Sequence, residues 1–311
     1  VFAEAGVKAE IAEIGSSEDG AKRGIKGNEH IFFYDDHENW WSRGGGVETT
    51  PIGDPCGPDS EVFYDFGEDK QDVAKYGKSH PASDGARFME IGNQVFMQYK
   101  RNQDGTFSEL TKKNIDFGAG LERIAAAAMD SFDVFETSLL KPIITKLEAI
   151  SGLSYDEHTE EMRVIADHLR GAYLLSAQGL VPSNKQQGYA LRRLIRRAVM
   201  KATNLGIDQD FLAQIVPIIA ENYQDLSDEI LTNRADALNV LIREEQAFRR
   251  SIHRGLKELH KLKDQGLTGK ELFMLQDTYG FPLELSLEEA KQNQISLSEN
   301  WKAEFQTSLD E

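Results

Sequence analysis

The sequence predicts an α+β fold: an antiparallel sheet with packed helices over residues 1–150, then an all-α region over 151–311. Three observations carry this. Residues 1–125 are broken by glycine turns and hold aromatic-rich extended runs. From about residue 124 apolar positions recur at helical spacing. Between the two textures, S-G-L-S at 151–154 marks a boundary.

The strands come first. I-F-F-Y at 31–34, E-V-F-Y-D at 61–65 and R-F-M-E-I-G-N-Q-V-F-M-Q-Y at 87–99 are extended runs, and the polar segment from Gly67 to Ala86 reads as a surface excursion. In N-I-D-F-G-A-G-L-E-R, 114–123, period-two alternation sets Asp116, Gly118 and Gly120 on one face. Phe117, Ala119 and Leu121 take the other, an apolar face expected to be buried. Glycine weakens a strand, and close approach of a flat ligand to the backbone is one reason to keep it there. A bare G-x-G-x-x-R is also compatible with a plain strand-to-helix junction. Helices are expected at 124–130, 135–150, 159–178, 186–204, 209–223, 227–263 and 283–293. In the long one Ile230, Leu231, Leu238, Leu241, Ile242 and Phe248 keep helical spacing, and Gly266 follows its end.

Composition narrows the function classes. Acidic residues outnumber basic ones 52 to 35, for a formal charge of −17, which argues against indiscriminate nucleic-acid binding. Yet residues 185–201 hold six basic residues and no acid. The single cysteine, Cys56, excludes an internal disulfide framework and fits a reducing compartment. Seven scattered histidines offer no zinc-ligand spacing, so no metal site is expected. No apolar run approaches the ~20 residues of a membrane span, and no secretory signal is evident. A cytoplasmic protein with no membrane partner is expected. The chain starts at Val1 without an initiator methionine, and we expect a piece of a longer protein.

Four further segments carry candidate chemistry. G-D-P-C-G-P-D-S-E-V-F-Y-D at 53–65 is turn chemistry running into a strand, with Asp54, Asp59 and Glu61 supplying charge. Cys56 reads as a small buried group. E-N-W-W at 38–41 offers Trp40 and Trp41, as core aromatics or as site residues, and S-R-G-G-G-V-E-T-T-P-I follows. In 87–99 one face carries Met89, Ile91, Asn93, Val95, Met97 and Tyr99. A buried Asn93 needs a partner, because an unpaired amide costs about 1–3 kcal/mol. Finally, in 163–199 a helix bearing His168 leads through Pro182-Ser183-Asn184 to a second helix. Arg192 and Arg196 form one i,i+4 row on it, and Arg193, Arg197 and Lys201 another. That face reads as a phosphate contact or as a surface paired with the chain's own acids. L-Q-D-T-Y-G-F-P at 275–282 reads as a helix end, a turn and a restart.

These segments, in order over residues 36–290, resemble the alanyl-tRNA synthetases, and the decapeptide resembles motif 3 of class II aminoacyl-tRNA synthetases. The resemblance implies a part of the class II antiparallel sheet followed by the family's helical tRNA-recognition domain. It implies alanine–tRNA ligase activity, with ATP and Mg²⁺ as cofactors and with alanine and the tRNA(Ala) acceptor stem as partners. By the same resemblance Asp116 and Arg123 are catalytic, and Gly118, Gly120 and Arg123 hold ATP. Trp41, Asn93, Val95 and Asp116 hold alanine. Asn184, Gln186, Arg192, Arg193, Arg197 and Asp277 meet tRNA. A methyl-sized pocket excludes glycine and serine by only about 1–3 kcal/mol. The family answers with a downstream editing domain carrying zinc, which is expected to lie outside this stretch of sequence. Motifs 1 and 2 are not recognisable in residues 1–35, so the isolated chain is expected to activate alanine barely or not at all. The alternatives are a non-catalytic tRNA-binding remnant and a helical scaffold for a protein partner.

Overall fold

Alternating aromatic and β-branched residues build the first unit's sheets. In the computed structural model, which describes residues 2–70, 72–83, 85–263 and 265–310, six strands are present among the described residues. They are β1 (Glu10–Gly15), β2 (Glu29–Tyr34), β3 (Trp40–Trp41), β4 (Pro55–Asp65), β5 (Phe88–Arg101) and β6 (Phe107–Ala119). Helix α1 (Ser17–Arg23) joins β1 to β2, α2 (Val73–Tyr76) lies between β4 and β5, and α3 (Leu121–Ala128) follows β6 and packs on β5. Strands β3 to β6 form one antiparallel sheet in sequence order, as the α+β reading requires. Strands β1 and β2 do not join it; they pair in parallel around α1. That crossover is missing from the sequence reading, because α1 is short and polar and shows no apolar stripe.

The excursion from Gly67 to Ala86 is not wholly at the surface. His80 and Pro81 are buried, and Arg87 at its end bridges Asp65 through Nε and Nη2, each at 2.7 Å. Gln71 and Asp84, within that segment, lie outside the described residues.

The second unit is helical: α4 (Lys141–Ser151), α5 (Thr159–Ala177), α6 (Gln186–Asn204), α7 (Leu212–Asn222), α8 (Asp228–Thr232), α9 (Arg234–Lys261), α10 (Gly269–Asp277), α11 (Leu283–Gln292) and α12 (Trp301–Asp310). Its core is a layer of fully buried apolar side chains, among them Leu169, Tyr173, Ile195, Phe211, Phe248 and Phe281. The helix expected over 227–263 breaks at Asn233, whose side-chain amide donates to the Ala177 carbonyl at 2.7 Å. The helix expected from 135 begins only at Lys141, with Pro142 in its first turn and a 3-10 turn, Val134–Glu136, before it. Thr268 and Glu271 form the capping box that starts α10, a helix that apolar periodicity does not predict. The chain divides into two compact units, Val1–Thr137 and Ser138–Glu311, so α4 falls in the second.

Candidate functional site

Register assembles the first unit's candidate site, because residues opposite each other in an antiparallel pair share a face. Across β5 and β6, Gly118 lies opposite Asn93 and Asp116 opposite Val95. Across β4 and β5, Glu61 lies opposite Asn93 and Asp59 opposite Val95. One face thus carries three carboxylates around an amide, a valine and a glycine. Val95 is buried, whereas Asp116 and Gly118 are exposed.

The partners of Asn93 fix which way its amide works. Its Nδ2 donates to Asp59 at 3.3 Å and to Glu61 at 3.2 Å. Both amide hydrogens are then engaged, which leaves Oδ1 as an acceptor. Burial raises the Asp59 carboxyl above its ordinary pKa, with Asn93 opposing and Glu90 adding to the rise. Burial also raises Glu61, reinforced by the charges of Glu90 and Asp59. The second Asp59 oxygen, Oδ1, is buried with no hydrogen-bond partner. Such a face suits a cationic guest. Among the described residues no group of three or more His, Cys, Asp or Glu is arranged to hold a metal ion.

Gly118 and Gly120 do different jobs. A Cβ on Gly118 would meet nothing within 4 Å, so the backbone lies open to a flat ligand. A Cβ on Gly120 would stand 3.1 Å from Arg123 Cδ, and its absence lets that arginine fold back toward β5. There Arg123 Nη1 donates to the Glu90 carbonyl at 3.0 Å and to Glu90 Oε2 at 2.7 Å, while the side chain stays half exposed. The sequence reading passed over Glu90. A register shift between Val62 and Phe63 occurs where β4 meets this part of β5, and period-two reasoning does not anticipate it.

One expectation fails on the opposite face. Phe117 and Leu121 are 61% and 55% exposed, not buried, and Ile115 and Ile124 are exposed with them. Among the described residues β6 is the last strand of its sheet, and no strand packs over this face of it. The Phe117 ring rests on Gly92, where a Cβ would come within 3.2 Å of it.

Trp41 is half-buried opposite Gly57. It is Trp40 that enters an aromatic cluster, stacked on Tyr99 at 6.1 Å and edge-on to Phe107 at 5.3 Å, with a buried, unpartnered Nε1. The insertion after Trp41 is a tight loop. Ser42 Oγ donates to the Gly46 carbonyl at 2.9 Å, Arg101 donates to that of Thr50 at 2.8 Å, and a Cβ on Gly44 would collide with the Thr49 carbonyl. Cys56 is fully buried with Sγ 3.6 Å from the Tyr99 carbonyl, and burial raises its thiol pKa. It is a packing group rather than a nucleophile.

In the second unit the basic rows of α6 form, but they are not bare. Arg192 donates to Asn184 and lies 3.3 Å from Glu244, to which Arg196 also pairs at 2.7 Å. Arg193 lies 3.6 Å from Glu284, and Arg197 3.1 Å from Glu288. Glu284 and Glu288 are themselves one turn apart on α11, so two i,i+4 pairs face each other. Lys201 follows the second alternative, pairing with the chain's own acids, but not at the surface. It is 2% exposed, held between Glu288 at 2.9 Å and Glu160 at 3.1 Å, and so leaves the solvent-facing row. His168 sits beside the same group, 3.3 Å from Arg197.

Asn184 and Gln186 are exposed at the start of α6, where Gln186 adopts φ +49°. Asp277 is exposed at the end of α10. The turn that follows has Gly280 at φ +62°, and its carbonyl accepts from Arg196 at 2.5 Å. Phe281 then anchors the segment against Phe248. That hydrogen bond brings D-T-Y-G-F-P to α6, a link the linear sequence does not show.

A family model described as tRNA synthetases class II (A) matches residues 22–308. The chain is 42% identical over 258 residues to the alanine–tRNA ligase of Geobacillus thermodenitrificans, covering 78% of this chain and 29% of that protein. It is 38% identical over 295 residues to the same-named ligase of Lactobacillus acidophilus, covering 91% and 32%. With that of Francisella philomiragia it shares 37% over 275 residues, covering 87% and 30%. The chain thus spans about 30% of the length of the curated relatives it matches.

Proposed function

The chain belongs to the class II alanyl-tRNA synthetase family, and from that premise we propose that it takes part in the ATP-dependent joining of alanine to tRNA(Ala). The observation that carries the reading is the open face of β5 and β6, where Asp116 and Gly118 stand opposite Val95 and Asn93. Asp116 receives the alanine ammonium, and Val95 forms the small apolar floor against its methyl. Asn93, its hydrogens engaged by Asp59 and Glu61, adds Oδ1 as a further ammonium acceptor. Trp41 closes the alanine side.

ATP fits the other half of the face. The uncovered backbone at Gly118 accepts a flat base, Gly120 gives Arg123 its path, and Arg123 leaves Glu90 to hold the nucleotide against the strand. ATP, bound with Mg²⁺, supplies the leaving diphosphate. No side chain forms a covalent bond to substrate; the protein's part is orientation and electrostatic stabilisation. In the second unit Asn184, Gln186, Arg192, Arg193, Arg197 and Asp277 meet the tRNA acceptor stem. Arg193 and Arg197 exchange Glu284 and Glu288 for phosphates as they do so.

The test uses a full-length alanine–tRNA ligase carrying this segment. Asp116→Ala abolishes alanine-dependent exchange of pyrophosphate into ATP; near-normal exchange removes Asp116 as the ammonium anchor. Asp277→Ala spares that exchange and impairs transfer to tRNA, whereas equal loss of both makes Asp277 structural.

A further inference from the structure

The basic rows of α6 are matched by acids of the same unit; one exposed row of α9 is mostly not. Arg243, Arg250, Arg254, Lys257 and Lys261 are all exposed. Successive intervals of seven, four, three and four residues keep them within an arc of about 60° at 3.6 residues per turn, along about 27 Å of helix. Among the described residues Arg243, Arg250, Arg254 and Lys257 make no ion pair or hydrogen bond. Only Lys261 is engaged, by Glu258 at 2.8 Å. His253, also exposed, flanks the row.

The acids nearest in sequence do not neutralise it. Glu244 is committed to Arg192 and Arg196, and Glu245 to the Phe211 and Leu212 amides. Asp208 and Asp210 share an open depression with Arg250 and His253, but Asp210 accepts from Gln246 at 3.0 Å and lies 3.6 Å from Arg249. Like charges one turn apart disfavour a helix, so on a chain of net charge −17 an unpaired basic row implies an anionic partner. No large apolar side chain of α9 is exposed, which removes the anchor a membrane-surface helix needs.

We propose that the α9 row is a second RNA-binding face, holding the phosphate backbone of duplex RNA without regard to sequence. The proposal rests on the reading of this unit as RNA-binding and adds a surface to it. Phosphate contacts of this kind position a nucleic acid but do not read it.

The test measures fluorescence anisotropy of an acceptor-stem RNA hairpin with the full 311-residue chain, comparing wild type with Arg250→Gln/Arg254→Gln/Lys257→Gln and, separately, Arg193→Gln/Arg197→Gln. All three α9 sites are exposed, and a thermal melt checks that the fold is kept. Between 50 and 200 mM salt the wild type should lose roughly 40-fold more affinity than the α9 triple variant, the effect of about three released counterions. The deficit should be the same for a hairpin of scrambled sequence. If the triple variant matches wild type while the α6 variant weakens, the α9 proposal falls and the RNA reading stands. If wild type binds no hairpin, both fall. If the triple variant loses affinity for a polyglutamate peptide but not for RNA, the row belongs to an acidic protein partner and the proposal is overturned.

Discussion

His80 shows how completely neighbours can set a side chain's chemistry. It is 2% exposed, its Nδ1 lies 2.9 Å from the Tyr34 hydroxyl, and a Cβ on Gly20 would come within 2.6 Å of the ring. Burial lowers the His80 pKa, with the Glu38 charge opposing, and burial pushes Tyr34 up to about 12. His80 is neutral in the fold, while the unfolded chain takes up its proton near pH ~6.5. The stability it contributes is therefore full above that pH and is lost as pH falls toward the depressed native value. We predict that amide exchange at Gly20 and Tyr34, corrected for intrinsic rates, accelerates below pH ~6, and that His80→Gln removes this dependence. Exchange that stays flat with pH would show that the buried ring is not what ties α1 to β2. Sequence reading placed His80 in a surface excursion, because nothing in a polar run signals a tyrosine 46 residues away.

Among the elements, α7 depends on a group it does not contain. Glu245 of α9 is fully buried and accepts from the Phe211 and Leu212 amides at 3.0 and 3.2 Å, while Arg249 lies 3.2 Å away. It supplies the cap that Phe211 cannot. Glu245→Ala would strand two buried amides and remove one of the acids that face Arg249, at a cost of about 3–5 kcal/mol. Glu245→Gln, which keeps an acceptor oxygen, should cost less. Urea unfolding checks both, and an alanine variant within 1 kcal/mol of wild type would remove Glu245 as the cap. A milder change is expected at the facing rows of α6 and α11. Glu284→Gln frees Arg193 and should tighten hairpin binding at low salt, since the pair is half exposed and 3.6 Å apart. Unchanged affinity would mean that α11 does not compete for that arginine.

At the level of the whole molecule the two units differ in how much they bury. The second holds most of the fully buried apolar side chains, whereas β6 and α3 of the first leave Ile115, Phe117, Leu121 and Ile124 exposed. Local stability follows buried contact, so limited proteolysis should cut first within residues 1–137 and leave a resistant product starting near Ser138. Equal cutting within α5, α6 and α9 would contradict this. Most helices between residues 121 and 292, the β5 and β6 strands and the motifs that mark the family are legible in the sequence, because each rests on local periodicity or a contiguous string; α10, α12 and the break at Asn233 are not. Which charges are free is a matter of tertiary packing. Lys201 and Arg250 look alike in the sequence, yet one is buried among acids and the other stands unpaired on α9. The same holds for the exposure of Phe117 and the orientation of Asn93. Each turns on partners far away in the chain, and residue spacing carries no information about them.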